Sequence, residues 1–174
     1  MKVIGIDIGS SFLKGFLFDM DKGRLIEKKK TPSPKRLGSE TRFEVYAGEY
    51  VEFVKNIIDD YAKSYDLAGV VLATQMHGFV YSTSLKMEDD LYVSWQDMRC
   101  LEKMDNGQTY LEFLQSIISE DEMKTCGVNL KPSLGCCNLF TMLSQNPNIP
   151  RNGHLYTIGS YIIEKLTGRN ICHP

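Results

Sequence analysis

Several features that would assign the chain to a class are missing from it. No apolar run approaches the roughly 20 residues that span a bilayer. Asp7 and Lys14 interrupt the apolar N-terminus, so it does not read as a secretory signal peptide. No basic tract is longer than Lys28-Lys29-Lys30, which closes an apolar strand and reads as a solvated strand end rather than a nucleic-acid contact. There are five cysteines, an odd count without C-x-x-C spacing, which argues against both a disulfide framework and a zinc site. Buried structural thiols are the expectation, with Cys136 and Cys137 facing different ways. There is no internal repeat, no low-complexity segment and no Gly/Ser linker. Together these absences point to a cytoplasmic protein with no nucleic-acid or membrane partner.

What is present is an ordinary globular composition. The 174 residues are 43% apolar and 24% charged, with a net charge of −2, enough for one compact domain with a real core. Residues 2–8 and 12–19 read as strands joined by the small-residue turn Gly9-Ser10-Ser11. Asp21-Lys22-Gly23 is a second turn, followed by a strand over 24–30. Pro32 and Pro34 mark 31–39 as a loop, and 41–46 suits a short edge strand. Tyr50, Val54, Ile57, Ile58, Tyr61 and Tyr65 recur with helical period over 48–65. Short apolar runs at 69–73 and 79–84 read as strands. The second half is mostly helical. Tyr110, Leu111, Leu114, Ile117 and Ile118 share one face, and Cys136, Leu139, Phe140 and Leu143 another. A last helix over 161–166 has Ser160 as its expected N-cap and Gly168 just past its end. The fold class is α/β with a mixed sheet and flanking helices.

Three stretches carry chemistry. Asp7-Ile8-Gly9-Ser10-Ser11 ends a buried strand in a tight polar turn. Such a turn offers backbone N–H groups and hydroxyls to phosphate oxygens, and the aspartate can hold a Mg²⁺-bound water. Lys14 adds positive charge there or simply faces solvent. The stretch is not a Walker A loop, because a strand follows where that motif needs a helix. Thr74-Gln75-Met76-His77-Gly78 follows a strand directly, a common position for ligand contacts in α/β proteins. Gln75 and His77 can bond hydroxyls, Met76 can pack on a carbon skeleton, and Gly78 admits a ligand to the backbone. Taken alone, His77 reads more readily as a structural loop histidine. Trp95-Gln96-Asp97-Met98-Arg99 holds the single tryptophan beside an amide, an acid and a base. Aromatic faces with fixed polar groups hold sugars, yet Trp95 equally suits a core and Asp97 a helix N-cap.

In order and spacing these segments resemble the FGGY family of carbohydrate kinases. Gly5 to Ser11 with the strand to Asp19 is similar to its first phosphate motif. Gln75-Met76-His77-Gly78 matches the motif of its ketose kinases. Trp95 to Cys100 resembles a W-x-D-G-R-C stretch with Met98 in place of glycine, and Tyr161 to Gly168 resembles the helix ending in L-T-G. The resemblance implies an actin-like (ribonuclease H-like) ATPase lobe and phosphoryl transfer from ATP, with Mg²⁺, to a ketose such as xylulose or sedoheptulose. It gives Asp7 to Mg²⁺–phosphate positioning, Gly9, Ser10 and Ser11 to the γ-phosphate, with Lys14 nearby. Gln75, Met76, His77, Trp95 and Asp97 fall to the sugar. The family's catalytic aspartate lies downstream of the L-T-G helix. The chain is therefore expected to be an N-terminal, sugar-binding piece of a longer enzyme, residues 1–174 forming one lobe. It is expected to be inactive alone and prone to self-association through exposed apolar surface. Two other readings stand: a non-catalytic sugar-binding or regulatory module, and a different actin-like ATPase. The second gives no reason for Gln75-Met76-His77-Gly78.

Overall fold

The computed structural model describes residues 1–83 and 89–170. It opens with an antiparallel meander, β1 (Lys2–Ile8), β2 (Phe12–Asp19) and β3 (Arg24–Pro32). The chain then forms β4 (Glu44–Tyr46), α1 (Ala47–Ala62), β5 (Leu67–Thr74), β6 (Phe79–Ser82) and β7 (Leu91–Val93). A 3₁₀ turn at Arg99–Leu101 precedes α2 (Tyr110–Ile117), α3 (Glu120–Cys126), α4 (Gly135–Gln145), β8 (His154–Tyr156) and α5 (Ile158–Thr167). Among the described residues no helix is long and apolar enough to cross a membrane.

The strands form two sheets, the first of them mixed as expected. The first has the order β3-β2-β1-β5, with β5 parallel to β1 and the other pairs antiparallel. The second, β4-β7-β6-β8, is antiparallel throughout. Alternation along β1 and β2 sends Ile4, Ile6, Ile8, Leu13 and Leu17 to one face, all buried. Onto this face α1 packs Val54, Ile57 and Tyr61, the stripe its helical period sets out. Each such side chain contributes roughly 1.5–3 kcal/mol when fully buried. The same core takes in Val45, Val80, Tyr92, Ile158 and Tyr161 and so joins the two sheets. On the opposite face of the first sheet, Phe18 and Val71 remain 39% and 63% exposed.

A smaller core of Cys100, Leu111, Leu114, Leu134 and Cys137 holds the helical half. Here the sequence pattern needs correcting. The buried face of α4 is Cys137, Asn138 and Thr141, not Cys136 with Leu143, because a polar side chain, Asn138, points inward to bind backbone. Ile117 is 58% exposed, off the face formed by Leu111 and Leu114. Cys126 and Cys136 are exposed, against the expectation of buried thiols, while Cys100 and Cys137 are buried; Cys172 lies outside the described residues. The last helix starts three residues earlier than its pattern implied. Thr157, not Ser160, is the N-cap, accepting from the Ser160 N–H, and Gly168 ends the helix at φ 69°. The loop expected at residue 31 begins later, because Thr31 and Pro32 still pair with Leu13 and Phe12 at the sheet edge.

Candidate active site

The parallel pairing of β1 with β5 brings the first two stretches together. Asp7 lies opposite Ala73 and Ile8 opposite Thr74, so both strands run out at the same edge. The turn after one and the loop after the other emerge side by side, joined by a 3.1 Å bond from the Gln75 N–H to the Ile8 carbonyl. A crevice outside the carboxyl ends of parallel strands is the usual ligand position in such sheets. The third stretch arrives through the second sheet. Phe79 pairs antiparallel with Val93, so the residues before β6 and those after β7 leave from the same end. Met76–Gly78 and Trp95 are thereby directed to one side of the molecule.

Asp7 sits across the hairpin from Lys14, and their side chains pair at 2.7 Å, both partly exposed. Lys14 therefore first neutralises Asp7 rather than standing free. The turn is tight. The Gly9 N–H donates to the Phe12 carbonyl at 3.2 Å, and a Cβ on Gly9 would lie 2.8 Å from that oxygen. Ser33 fixes the turn from below, its hydroxyl donating to the Gly9 carbonyl at 2.6 Å and its N–H to the Ser11 carbonyl at 3.1 Å. A glycine that tolerates no side chain, flanked by small hydroxyls and a half-exposed carboxylate, suits a phosphate and its cation. No group of three His, Cys, Asp or Glu able to hold a metal occurs among the described residues. A magnesium ion at Asp7 would accordingly be held mostly by phosphate oxygens and water, the usual arrangement for nucleotide-bound magnesium.

The Gln75–Gly78 loop is strained and closely packed. His77 has φ 62°, the one non-glycine residue in left-handed backbone among those described. Met76 is 73% exposed beside it. Gly78 presses on a buried ring: a Cβ there would lie 2.0 Å from the Tyr92 hydroxyl oxygen and 2.3 Å from its Cζ. On the other side of the loop, a Cβ on Gly135 would lie 2.8 Å from the His77 carbonyl, so the start of α4 packs closely against this stretch. Gly78→Ala is expected to cost about 1–3 kcal/mol by overpacking. Urea unfolding checks it, and an unchanged midpoint would mean that Tyr92 yields.

Trp95 is 37% exposed, and so is a surface rather than a core residue. Asp97, expected beside the sugar, is instead fully buried and structural. One of its oxygens accepts from the Arg99 N–H at 3.0 Å and from Nε at 2.8 Å. The other accepts from Arg99 Nη2 at 2.8 Å and the Phe43 N–H at 2.7 Å. Arg99 also reaches Glu44 at 2.6 Å. Burial works against the guanidinium charge, but the bonds to Asp97 and Glu44 outweigh it and hold the group above its ordinary value. Sequence reasoning missed Asn138, whose Nδ2 donates to the Asp97 carbonyl at 2.8 Å while its Oδ1 accepts from the Cys100 N–H at 3.3 Å. It also missed Glu44, Tyr50 and Tyr92, which no local pattern distinguishes from core or strand-end residues.

A second ionic cluster braces this region. Glu102 accepts from Arg42 at 2.8 and 2.9 Å, from Gln145 at 2.7 Å and from Thr41 at 2.9 Å. The Arg42 bond first, then Gln145 and Thr41, lower its carboxyl to about 2 against the cost of burial. The folded value lies below the unfolded one. The resulting stability is present above about pH 4.5 and is lost as pH falls toward 2. Allowing for partial exposure, it amounts to about 2 kcal/mol. Urea midpoints should fall over that window in the natural chain and change less in Glu102→Gln.

Comparison with known proteins decides the family. The profile of the FGGY family of carbohydrate kinases, N-terminal domain, matches residues 2–173. The chain belongs to this FGGY family. No curated protein matches it in sequence. Among solved structures, xylulose kinase from Rhodospirillum rubrum superposes with a TM-score of 0.81 at 14% identity, covering 98% of this chain and 35% of that one. Gluconate kinase from Lactobacillus acidophilus gives 0.76 at 20% identity over 97% and 34%. Plasmodium falciparum glycerol kinase with ADP gives 0.73 at 13% over 96% and 34%. The FGGY fold is the actin-like ATPase fold, and this α/β chain has it. It spans about a third of the length of these solved relatives.

Proposed function

We propose that this FGGY chain is the sugar-binding and phosphate-end lobe of an ATP-dependent kinase that phosphorylates a hydroxyl of a ketose. The observation that carries the reading is the parallel register of β1 and β5, with Asp7 opposite Ala73, which sets the Gly9–Ser11 turn beside the Gln75–Gly78 loop. A phosphate donor and a polyol acceptor need that adjacency, since phosphoryl transfer is largely a matter of position and charge. The choice of ketose, xylulose- or sedoheptulose-like, rests on the match of Gln75-Met76-His77-Gly78 to the ketose-kinase motif.

In this reading Asp7 orients the phosphate end, with Lys14 released from it as the anion arrives. Gly9 lets the backbone close on the γ-phosphate beside the Ser10 and Ser11 hydroxyls. Met76 and His77 hold the sugar, and Trp95 flanks it. Bound magnesium would supply charge neutralisation on the transferring phosphoryl group. The general base and the nucleotide-binding lobe belong to the remaining two thirds of a full-length kinase. The exposed Phe18 and Val71 then mark surface covered by that remainder, or by another copy when the lobe is alone.

A coupled ADP-release assay with a panel of ketoses tests this. The 174-residue chain should give no ketose-dependent ADP, and the product of the full reading frame should. Ketose-dependent turnover by the chain alone overturns the reading of it as half of a site. Absence of turnover from the full product with any ketose overturns the kinase assignment.

A further inference from the structure

Two polar atoms beneath the Gln75–Gly78 loop have no partner. Gln75 Oε1 and the Tyr92 hydroxyl are both buried and neither forms a hydrogen bond. They sit at the foot of the same loop. Gln75 begins it, with Nε2 3.5 Å from the Tyr50 hydroxyl. The Tyr50 ring meets Tyr92 edge-on, centroids 5.7 Å apart. The Tyr92 hydroxyl lies directly under Gly78.

Buried polar groups without partners are uncommon in folded proteins, and each calls for an explanation. These two are chemically matched. An amide oxygen only accepts, whereas a phenol can donate. A hydroxyl group satisfies both at once, accepting from Tyr92 and donating to Gln75. A carboxylate cannot, because it has no proton for Gln75. Gly78, which packs against the Tyr92 hydroxyl, directly follows the left-handed His77. A shift of Met76–Gly78 would relieve His77 and uncover the Tyr92 hydroxyl.

We propose that Tyr92 and Gln75 form a hydroxyl-recognition subsite beneath Met76–Gly78, filled by one hydroxyl of the bound sugar when the loop moves aside. The subsite rests on the reading that a ketose binds at this loop. Tyr92 thereby becomes a specificity residue that the Trp95–Arg99 motif, only three residues downstream, does not include.

The test is D-xylulose titrated by calorimetry into the full chain and its variants, with urea unfolding of each. Tyr92→Phe removes one oxygen and keeps the ring. It should unfold at an equal or higher urea concentration than the natural chain, yet bind D-xylulose about tenfold more weakly. Gln75→Met, which removes the acceptor, should show the same loss of affinity. A clearly lower urea midpoint for Tyr92→Phe overturns the proposal, since the hydroxyl would then be paired in the resting fold by a resident water. Unchanged affinity overturns it as well. Met76→Ala, at an exposed position, separates the two claims. If Met76→Ala loses affinity while Tyr92→Phe does not, the subsite fails and the ketose reading survives. No binding of D-xylulose by the natural chain overturns both.

Discussion

Arg99→Ala is expected to lower folding stability by about 3–5 kcal/mol, the cost of leaving a buried charge without its counter-ion. Asp97 is fully buried and Arg99 is 2% exposed, so water does not replace the lost guanidinium. Three of the four hydrogen bonds that the Asp97 carboxylate accepts come from Arg99, two from its side chain and one from its backbone N–H. The substitution removes the two side-chain bonds and also frees Glu44. Against a total of about 5–15 kcal/mol for a natural domain, this brings the chain close to unfolding. Urea or thermal unfolding measures it. A loss below about 1 kcal/mol would show that water reaches the Asp97 carboxylate in the folded state. The pair anchors the exposed Trp95-Gln96 segment from beneath, so at sub-denaturing urea the same variant should also lose order there.

The second large effect is on chemistry. On the proposed reading, Asp7→Asn in the full-length kinase should reduce phosphoryl transfer by on the order of 10²-fold or more, because charge stabilisation around the transferring group is worth several kcal/mol. Stability should hardly change. Asp7 and Lys14 are each about a third exposed, and such pairs contribute about 0–1 kcal/mol. Coupled ADP release and urea unfolding on the same variant separate the two. Retention of more than a tenth of the turnover would remove Asp7 from the reaction. Lys14→Met should be milder, since backbone and hydroxyl groups of the Gly9–Ser11 turn remain.

The sequence made local features legible and left distant ones hidden. The hairpin around Gly9, the α1 stripe and the Gly168 stop follow from period and turn chemistry, which act within a few residues. Capping boxes at Thr109 with Glu112 and at Ser119 with Glu122, which the sequence reading passed over, fix the starts of α2 and α3. The fate of Asp97 was not readable. A W-x-D-x-R string fits an exposed site and a buried anchor alike, and what decides between them is Glu44, more than fifty residues upstream. Asn138 gave no local signal, because its partners are backbone atoms some forty positions away. The division into two sheets was hidden for the same reason. The pairing of β6 with β8 depends on how the chain returns after α4, not on any pattern within β6.

The β1–β5 register also bears on how the protein is made. Asp7 and its partner Ala73 are 66 positions apart, so the hairpin turn can form early while the Gln75–Gly78 loop waits for a long closure. During synthesis the β1–β2–β3 meander leaves the ribosome with one edge unpaired, and that edge is completed only after α1 has emerged. In the proposed reading, ketose binding therefore reports closure of the β1–β5 pair rather than formation of the first hairpin. In that reading, a ketose added during refolding should slow loss of the finished lobe without hastening the collapse before it.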